Sequence, residues 1–124
     1  MKVIRSVDHV SFAVRDLATS LHFYCDVLGL EQAPRPDLGF PGAWLTVGNS
    51  QVHLLQAPEG FDGGTPPPFL NPIASHAAFG IDDHAATRAL LRGHGLEIFE
   101  LEASGQMWVK DPDGNIIELI SARR

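Results

Sequence analysis

The sequence has one cysteine, few cations and no long apolar run. Cys25 alone cannot close an intrachain disulfide, so the fold has to rest on a packed core. Lying in an apolar, helix-like run, it reads as a small hydrophobe. Nine Lys and Arg stand against fifteen Asp and Glu, for a net charge of −6, and the one basic cluster is Arg123-Arg124. An acidic surface without a basic stripe repels phosphate backbones, which argues against nucleic acid as a partner. No stretch approaches the ~20 apolar residues that span a bilayer, so no membrane partner is expected. Residues 1–9 lack the apolar core of a signal peptide, and a soluble, cytoplasmic protein is the expectation. The rest is ordinary: 44% hydrophobic, 19% charged, and 124 residues. That size and composition suit one compact domain rather than a disordered chain, and the α+β class comes from an internal repeat.

What the chain does have is a second copy of itself. His9-Val-Ser-Phe-Ala-Val-Arg-Asp16-Leu-Ala18 aligns with His76-Ala-Ala-Phe-Gly-Ile-Asp-Asp83-His-Ala85. His, Phe, Asp and Ala coincide, at an offset of 76 − 9 = 67. Gly29-Leu30-Glu31 matches Gly95-Leu96-Glu97, Trp44 matches Trp108, and Gly48-Asn49 matches Gly114-Asn115. Val52-His53-Leu54-Leu55 lies over Ile117-Glu118-Leu119-Ile120, at an offset of 118 − 53 = 65. Each match is weak by itself, but their common order and nearly constant offset define two homologous modules.

Each module begins with an alternating strand, Val7 to Val14 in the first, with Val10, Phe12 and Val14 on one face and His9, Ser11 and Ala13 on the other. Asp16 is placed to cap a helix carrying Leu17, Leu21, Tyr24 and Leu28, which Gly29 ends. In the second module Asp82 or Asp83 caps and Gly93 or Gly95 stops the helix. Shorter strands follow. Trp44 to Val47 and Gln51 to Gln56 flank a Gly48-Asn49-Ser50 turn, and Met107 to Lys110 and Asn115 to Ser121 flank Asp111-Pro112-Asp113-Gly114. Pro second and Gly fourth suit a type I turn. The unit is βαβββ, written over residues 1–56 and 73–124. Between them, residues 57–72 carry Pro58, Pro66, Pro67, Pro68 and Pro72 with Gly60, Gly63 and Gly64, a composition for a linker or covering loop.

The repeat singles out four residues. His9 and His76 hold equivalent positions on the first strand of each module, and His53 and Glu118 on the last. A pseudo-twofold axis would bring both pairs together, and all four are good ligands for a borderline divalent cation. The small neighbours Ser11, Ala13, Ala78 and Gly80 leave open volume before the histidines. A carboxylate within Ile-Ile-Glu-Leu-Ile is costly to bury unless it is paired or bound to a cation. His22, His84 and His94 have no symmetry partners and are assigned to the surface.

The strings Val-Asp-His-Val-Ser-Phe-Ala-Val-Arg-Asp, Phe-Tyr-Cys-Asp-Val-Leu-Gly-Leu, Val-His-Leu-Leu and Asp-Pro-Asp-Gly-Asn-Ile-Ile-Glu-Leu resemble the vicinal oxygen chelate superfamily. This superfamily comprises glyoxalase I, bleomycin-resistance proteins, fosfomycin-resistance enzymes and extradiol dioxygenases, and the resemblance runs from about Val7 to Ile120. It implies a glyoxalase-like fold, paired βαβββ modules whose curved sheets form a cup around one metal ion (Zn, Ni, Co, Mn or Fe). The family's metal positions fall on His9, His76 and Glu118, with His53 as the fourth ligand of the glyoxalase group. Bacterial glyoxalase I more often has Glu at that fourth place. Three His and one Glu leave an M²⁺ site at +1, which favours an anionic bidentate substrate or a developing enolate.

The resemblance implies three alternatives. In the first, a lyase or isomerase, a small substrate chelates the metal through vicinal oxygens and Glu118 removes a proton to give an enediolate. In the second, an Fe(II) extradiol dioxygenase, His9, His76 and Glu118 form a two-His-one-carboxylate triad. The third is a small-molecule binding protein of the bleomycin-resistance kind. The first is the reading preferred here, since the chain keeps four ligands and lacks the length usual in dioxygenases. Arg35, Phe40, Trp44, Met107 and Trp108 fall where the family meets substrate. Strand edges on small curved sheets are commonly covered by oligomerisation, and a homodimer is expected.

Overall fold

The computed structural model describes residues 1–121, so the Arg123-Arg124 pair lies outside the described residues. The chain divides into two compact units, Met1–Gly63 and a second beginning at Gly64. In the first, β1 (His9–Val14) leads through Asp16 into α1 (Leu17–Leu21), followed by β2 (Glu31–Ala33), β3 (Gly42–Val47) and β4 (Ser50–Gln56). The sheet order is β1-β4-β3-β2, with β1 parallel to β4 and the other pairings antiparallel. The second unit repeats this as β5 (His76–Ile81), α2 (His84–Gly93), β6 (Phe99–Leu101), β7 (Gln106–Lys110) and β8 (Ile116–Ser121). Its order is β5-β8-β7-β6, with the same pairing senses. The fold is α+β: two four-stranded mixed sheets, neither of them closed, each built on the repeated βαβββ pattern.

The helix starts read from the sequence are where the side chains bond. Asp16 accepts from Thr19 N–H, and Asp83 accepts from Ala86 N–H at 2.9 Å. The two ends differ. Helix α2 closes in a Schellman motif, with Leu96 N–H on Leu91 O at 3.1 Å, Gly95 N–H on Arg92 O at 2.9 Å, and Gly95 at φ +76. Helix α1 runs only to Leu21 and continues as a π-helix over His22–Val27, where Leu28 N–H bonds Phe23 O at 3.0 Å. The wider turn shifts the apolar stripe. Phe23, Tyr24 and Val27 are buried, whereas Leu17, Leu21 and Leu28, expected in the same stripe as Tyr24, are half-exposed.

Strand alternation separates two faces in each sheet. Val14, Leu45, Val52 and Leu54 have no exposure and form the helix-side core of the first unit. Each such side chain contributes roughly 1.5–3 kcal/mol by leaving water. In the second unit Met107, Val109, Ile117 and Leu91 are equally inaccessible. At the β7–β8 turn Gly114 N–H reaches Asp111 O at 3.0 Å, as the type I reading required. Asp111 is 5% exposed and its carboxylate accepts from Asp113 N–H, Asn115 N–H and Asn115 Nδ2 at 2.8–2.9 Å. That knot sets the hairpin register, and the register places Glu118 opposite Trp108. Segment 57–72 packs in pieces: Lys110 Nζ donates to Pro67 O at 3.0 Å, while Phe61 lines a cavity of the first unit.

Candidate metal centre

In the first unit, β1 pairs with β4 so that Ser11 faces His53, and β4 pairs with β3 so that Trp44 faces His53. His9, two residues before Ser11, is then the diagonal neighbour of His53 on the same sheet face. Their rings stack with centroids 3.9 Å apart and planes 16° apart. Trp44 covers the other side of His53 at 4.6 Å and 9°. The three rings form one stack with His53 in the middle, which fixes its rotamer. His9 Nδ1 donates to Asp8 Oδ1 at 2.7 Å, and this leaves Nε2 as the free lone pair. Gln51 Oε1 accepts from His53 Nε2 at 2.8 Å. Burial is the main cause that lowers the His53 pKa, with further lowering by the charges of His9 and Arg35 against an opposing pull from Asp8. With Nε2 donating to Gln51, the neutral imidazole keeps its lone pair on Nδ1.

The second unit repeats the diagonal. Glu118 faces Ala78 on β5 and Trp108 on β7, and His76 sits two residues before Ala78. His76 Nε2 lies 2.9 Å from Glu118 Oε1, and its Nδ1 donates to Ala74 O at 2.6 Å. Glu118 is 6% exposed, and its second oxygen accepts from Gln106 Nε2 at 3.1 Å. A neutral imidazole has one N–H, yet both nitrogens of His76 face oxygens that can only accept. A cation beside Nε2 and the carboxylate satisfies this arrangement as well as a second proton does. Two imidazoles in one unit and an imidazole–carboxylate pair in the other are the donor types a borderline divalent ion takes. The residues fit such an ion pair by pair. Among the described residues no three His, Cys, Asp or Glu side chains are gathered into one cluster.

These equivalent pairs stand in a chain whose residues 6–119 match the family model described as the Glyoxalase/Bleomycin resistance protein/Dioxygenase superfamily. The chain belongs to this superfamily. It is 32% identical over 123 residues to Glyoxylase I 4 of Arabidopsis thaliana, covering 94% of this chain and 70% of that protein. It is 30% identical over 126 residues to the metallothiol transferase FosB of Staphylococcus epidermidis, covering 94% and 81%. The trypanothione-dependent glyoxalase I of Leishmania major superposes with a TM-score of 0.70 at 27% identity, over 95% of this chain and 87% of that one. Relatives within the superfamily thus include both glyoxalases and a transferase.

The remaining positions expected to meet substrate separate. Trp44 and Trp108 lie on the sheet faces that carry His53 and Glu118. Trp108 is 2% exposed, edge-on to His76 at 6.3 Å, and its indole Nε1 is buried without a hydrogen-bond partner among the described residues. Arg35 lies with its guanidinium 5.0 Å from the centre of the Phe40 ring, and Phe40 is 42% exposed. Met107 has no exposure and pairs with Leu119 on the helix side of its sheet, away from Glu118. His84, assigned to the surface from sequence, is instead largely covered: its side chain is 14% exposed and bonds Glu100 at 2.8 Å. Arg88 also holds Glu100, at 3.0 and 3.1 Å, so the histidine belongs to an ion-pair network tying α2 to β6. Asp8, Gln51 and Gln106 escaped the sequence reading. Asp8 adjoins a ligand candidate and could have been noticed, but the roles of the two glutamines depend on register.

Proposed function

We propose that this chain is a divalent-metal-dependent enzyme of the lyase or isomerase type, acting on a small substrate with two vicinal oxygens. One ion would take His9 and His53 from the first unit and His76 and Glu118 from the second, of the same chain or of the two chains of a homodimer. The observation that carries this reading is His76: both its nitrogens face acceptors, one of them the buried Glu118 carboxylate. When bound, the ion supplies Lewis-acid chemistry, accepting the two oxygens and stabilising negative charge on the substrate.

The protein's own groups do the rest. Asp8 and Ala74 O fix the tautomers of His9 and His76. Trp44 and His9 hold His53 between them. Gln106 anchors Oε2 of Glu118, so Oε1, which lies 2.9 Å from His76 Nε2, is the oxygen to take a proton from the carbon beside the chelating oxygens once it parts from His76.

Calorimetric titration of the metal-free chain with Zn²⁺, Ni²⁺, Co²⁺ and Mn²⁺ tests the site. One ion per chain is expected, with tight binding abolished both by His9→Ala/His53→Ala and by His76→Ala/Glu118→Gln. Binding that survives the loss of either pair would mean separate sites and overturn the reading. Methylglyoxal–thiol adducts and catechols then test the reaction. Turnover of the adducts without O₂ uptake supports it, and iron-dependent O₂ consumption on catechols would replace it with a dioxygenase.

A further inference from the structure

The first unit contains a cavity of about 560 Å³ on the sheet face that carries the histidines. Ala13, Leu55, Phe40, Pro58 and Phe61 line it, and the amide of Gln56 in its wall is engaged by Leu17 N–H at 2.9 Å. Ala13 and Leu55 each lie two positions beyond Ser11 and His53, roughly 7 Å along the strands. The wall is apolar, and Arg35 meets it through Phe40, over whose ring its guanidinium lies.

Arg35 is poised in an unusual way. Its Nε and Nη2 are shut off from water and have no hydrogen-bond partner among the described residues. A guanidinium edge in that state is costly unless an acceptor is brought to it. The chain makes room for the group. Gly42 faces Leu55 across β3 and β4, and a Cβ at Gly42 would lie 2.9 Å from Arg35 Nη2 and 2.6 Å from Leu54 O. Only a residue without a side chain lets the guanidinium lie against the strand there. The Nε–Nη2 edge is the one that pairs with a carboxylate through two parallel bonds. Phe40, half-exposed, both lines the cavity and carries the guanidinium over its ring.

We propose that Arg35 and this cavity form a subsite for an apolar carboxylic acid, the carboxylate on the guanidinium edge and the hydrocarbon or aromatic body among Ala13, Leu55 and Phe61. This names the substrate class of the reading above and rests on it for the link to turnover, although the binding itself does not need the metal. An acidic protein gains no long-range attraction for such a ligand, so selectivity has to come from this local pairing.

The test is a titration of the metal-free full chain with 3-phenylpropionate and with its neutral amide, followed by calorimetry and by the fluorescence of its tryptophans. The acid is expected to bind on the order of 10- to 100-fold more tightly than the amide, the range of a charge-assisted pair. Arg35→Gln should erase that preference, Arg35→Lys should retain part of it, and Phe61→Ala should weaken acid and amide alike. Equal affinity for the two probes, or a preference unchanged in Arg35→Gln, would overturn the proposal. The wild-type comparison decides even if a variant fails to fold. Metal titration of Arg35→Gln keeps the two readings apart: normal metal binding with no acid preference in the wild type sinks the subsite alone, and acid preference without metal binding sinks only the metal enzyme.

Discussion

Replacing Glu118 by Gln and by Leu separates what the carboxylate does for folding from what it does for a metal. Without metal, its Oε1 lies 2.9 Å from His76 Nε2 and its Oε2 accepts from Gln106 Nε2 at 3.1 Å, at 6% exposure. A glutamine can keep both contacts, with its oxygen toward Gln106 and its NH₂ donating to a bare His76 Nε2, whose ring proton already sits on Nδ1 facing Ala74 O. Glu118→Gln should therefore stay within about 1 kcal/mol of wild type in the metal-free chain. Leucine leaves both partners facing an apolar group. Two partly exposed partners, each at the low end of about 1–3 kcal/mol and offset in part by the burial of the new side chain, give a loss of roughly 1–2 kcal/mol. With metal present the order changes. Glu118→Gln keeps three imidazoles, so occupancy persists at raised metal concentration, but an amide cannot serve as a base at neutral pH. Turnover should fall by on the order of 10²–10⁴. The assays are urea denaturation of the metal-free proteins and kinetics at saturating metal. A Gln variant less stable than the Leu variant would refute the hydrogen-bond reasoning, and full turnover in the Gln variant with metal bound would reduce Glu118 to a ligand.

Two further outcomes follow from particular contacts. Asp111→Ala removes three hydrogen bonds from a carboxylate at 5% exposure, and should cost about 2–3 kcal/mol, a drop in Tm on the order of 10 °C by calorimetry; an unchanged Tm would show that the β7–β8 register does not depend on the turn. For His53 the sign follows from a folded pKa held below the ordinary imidazole value. Its contribution to stability is complete above the unfolded pKa of about 6.5 and is lost as pH falls from there toward the lower folded value, so wild type should lose more stability than His53→Gln between about pH 7.5 and 5.5. An NMR titration with His53 at or above the ordinary value would contradict this.

Much of this architecture was readable because it is written twice. The offset of 67 on the first strand and 65 on the last carries the diagonal from His9–His53 to His76–Glu118, and the strand registers of both units reproduce it. The caps were readable because Asp16 and Asp83 act within three residues of themselves. The course of the first helix was not, since spacing by 3.6 carries no trace of the π-helical step over His22–Val27. Met107 shows the opposite weakness. Its neighbour Trp108 faces Glu118, and in a strand a shift of one residue exchanges the pocket side for the core side. Side chains that act on the four candidates, such as Gln51 and Gln106, become visible only once the hairpins are in register. The same holds for Arg35, whose meaning lies in what is missing from its Nε–Nη2 edge and in the space that Gly42 leaves for it. Residue type can nominate a ligand for an ion. Whether a cation such as Arg35 lacks a partner is a property of the packed chain, and that vacancy is where the specificity of this site is to be sought.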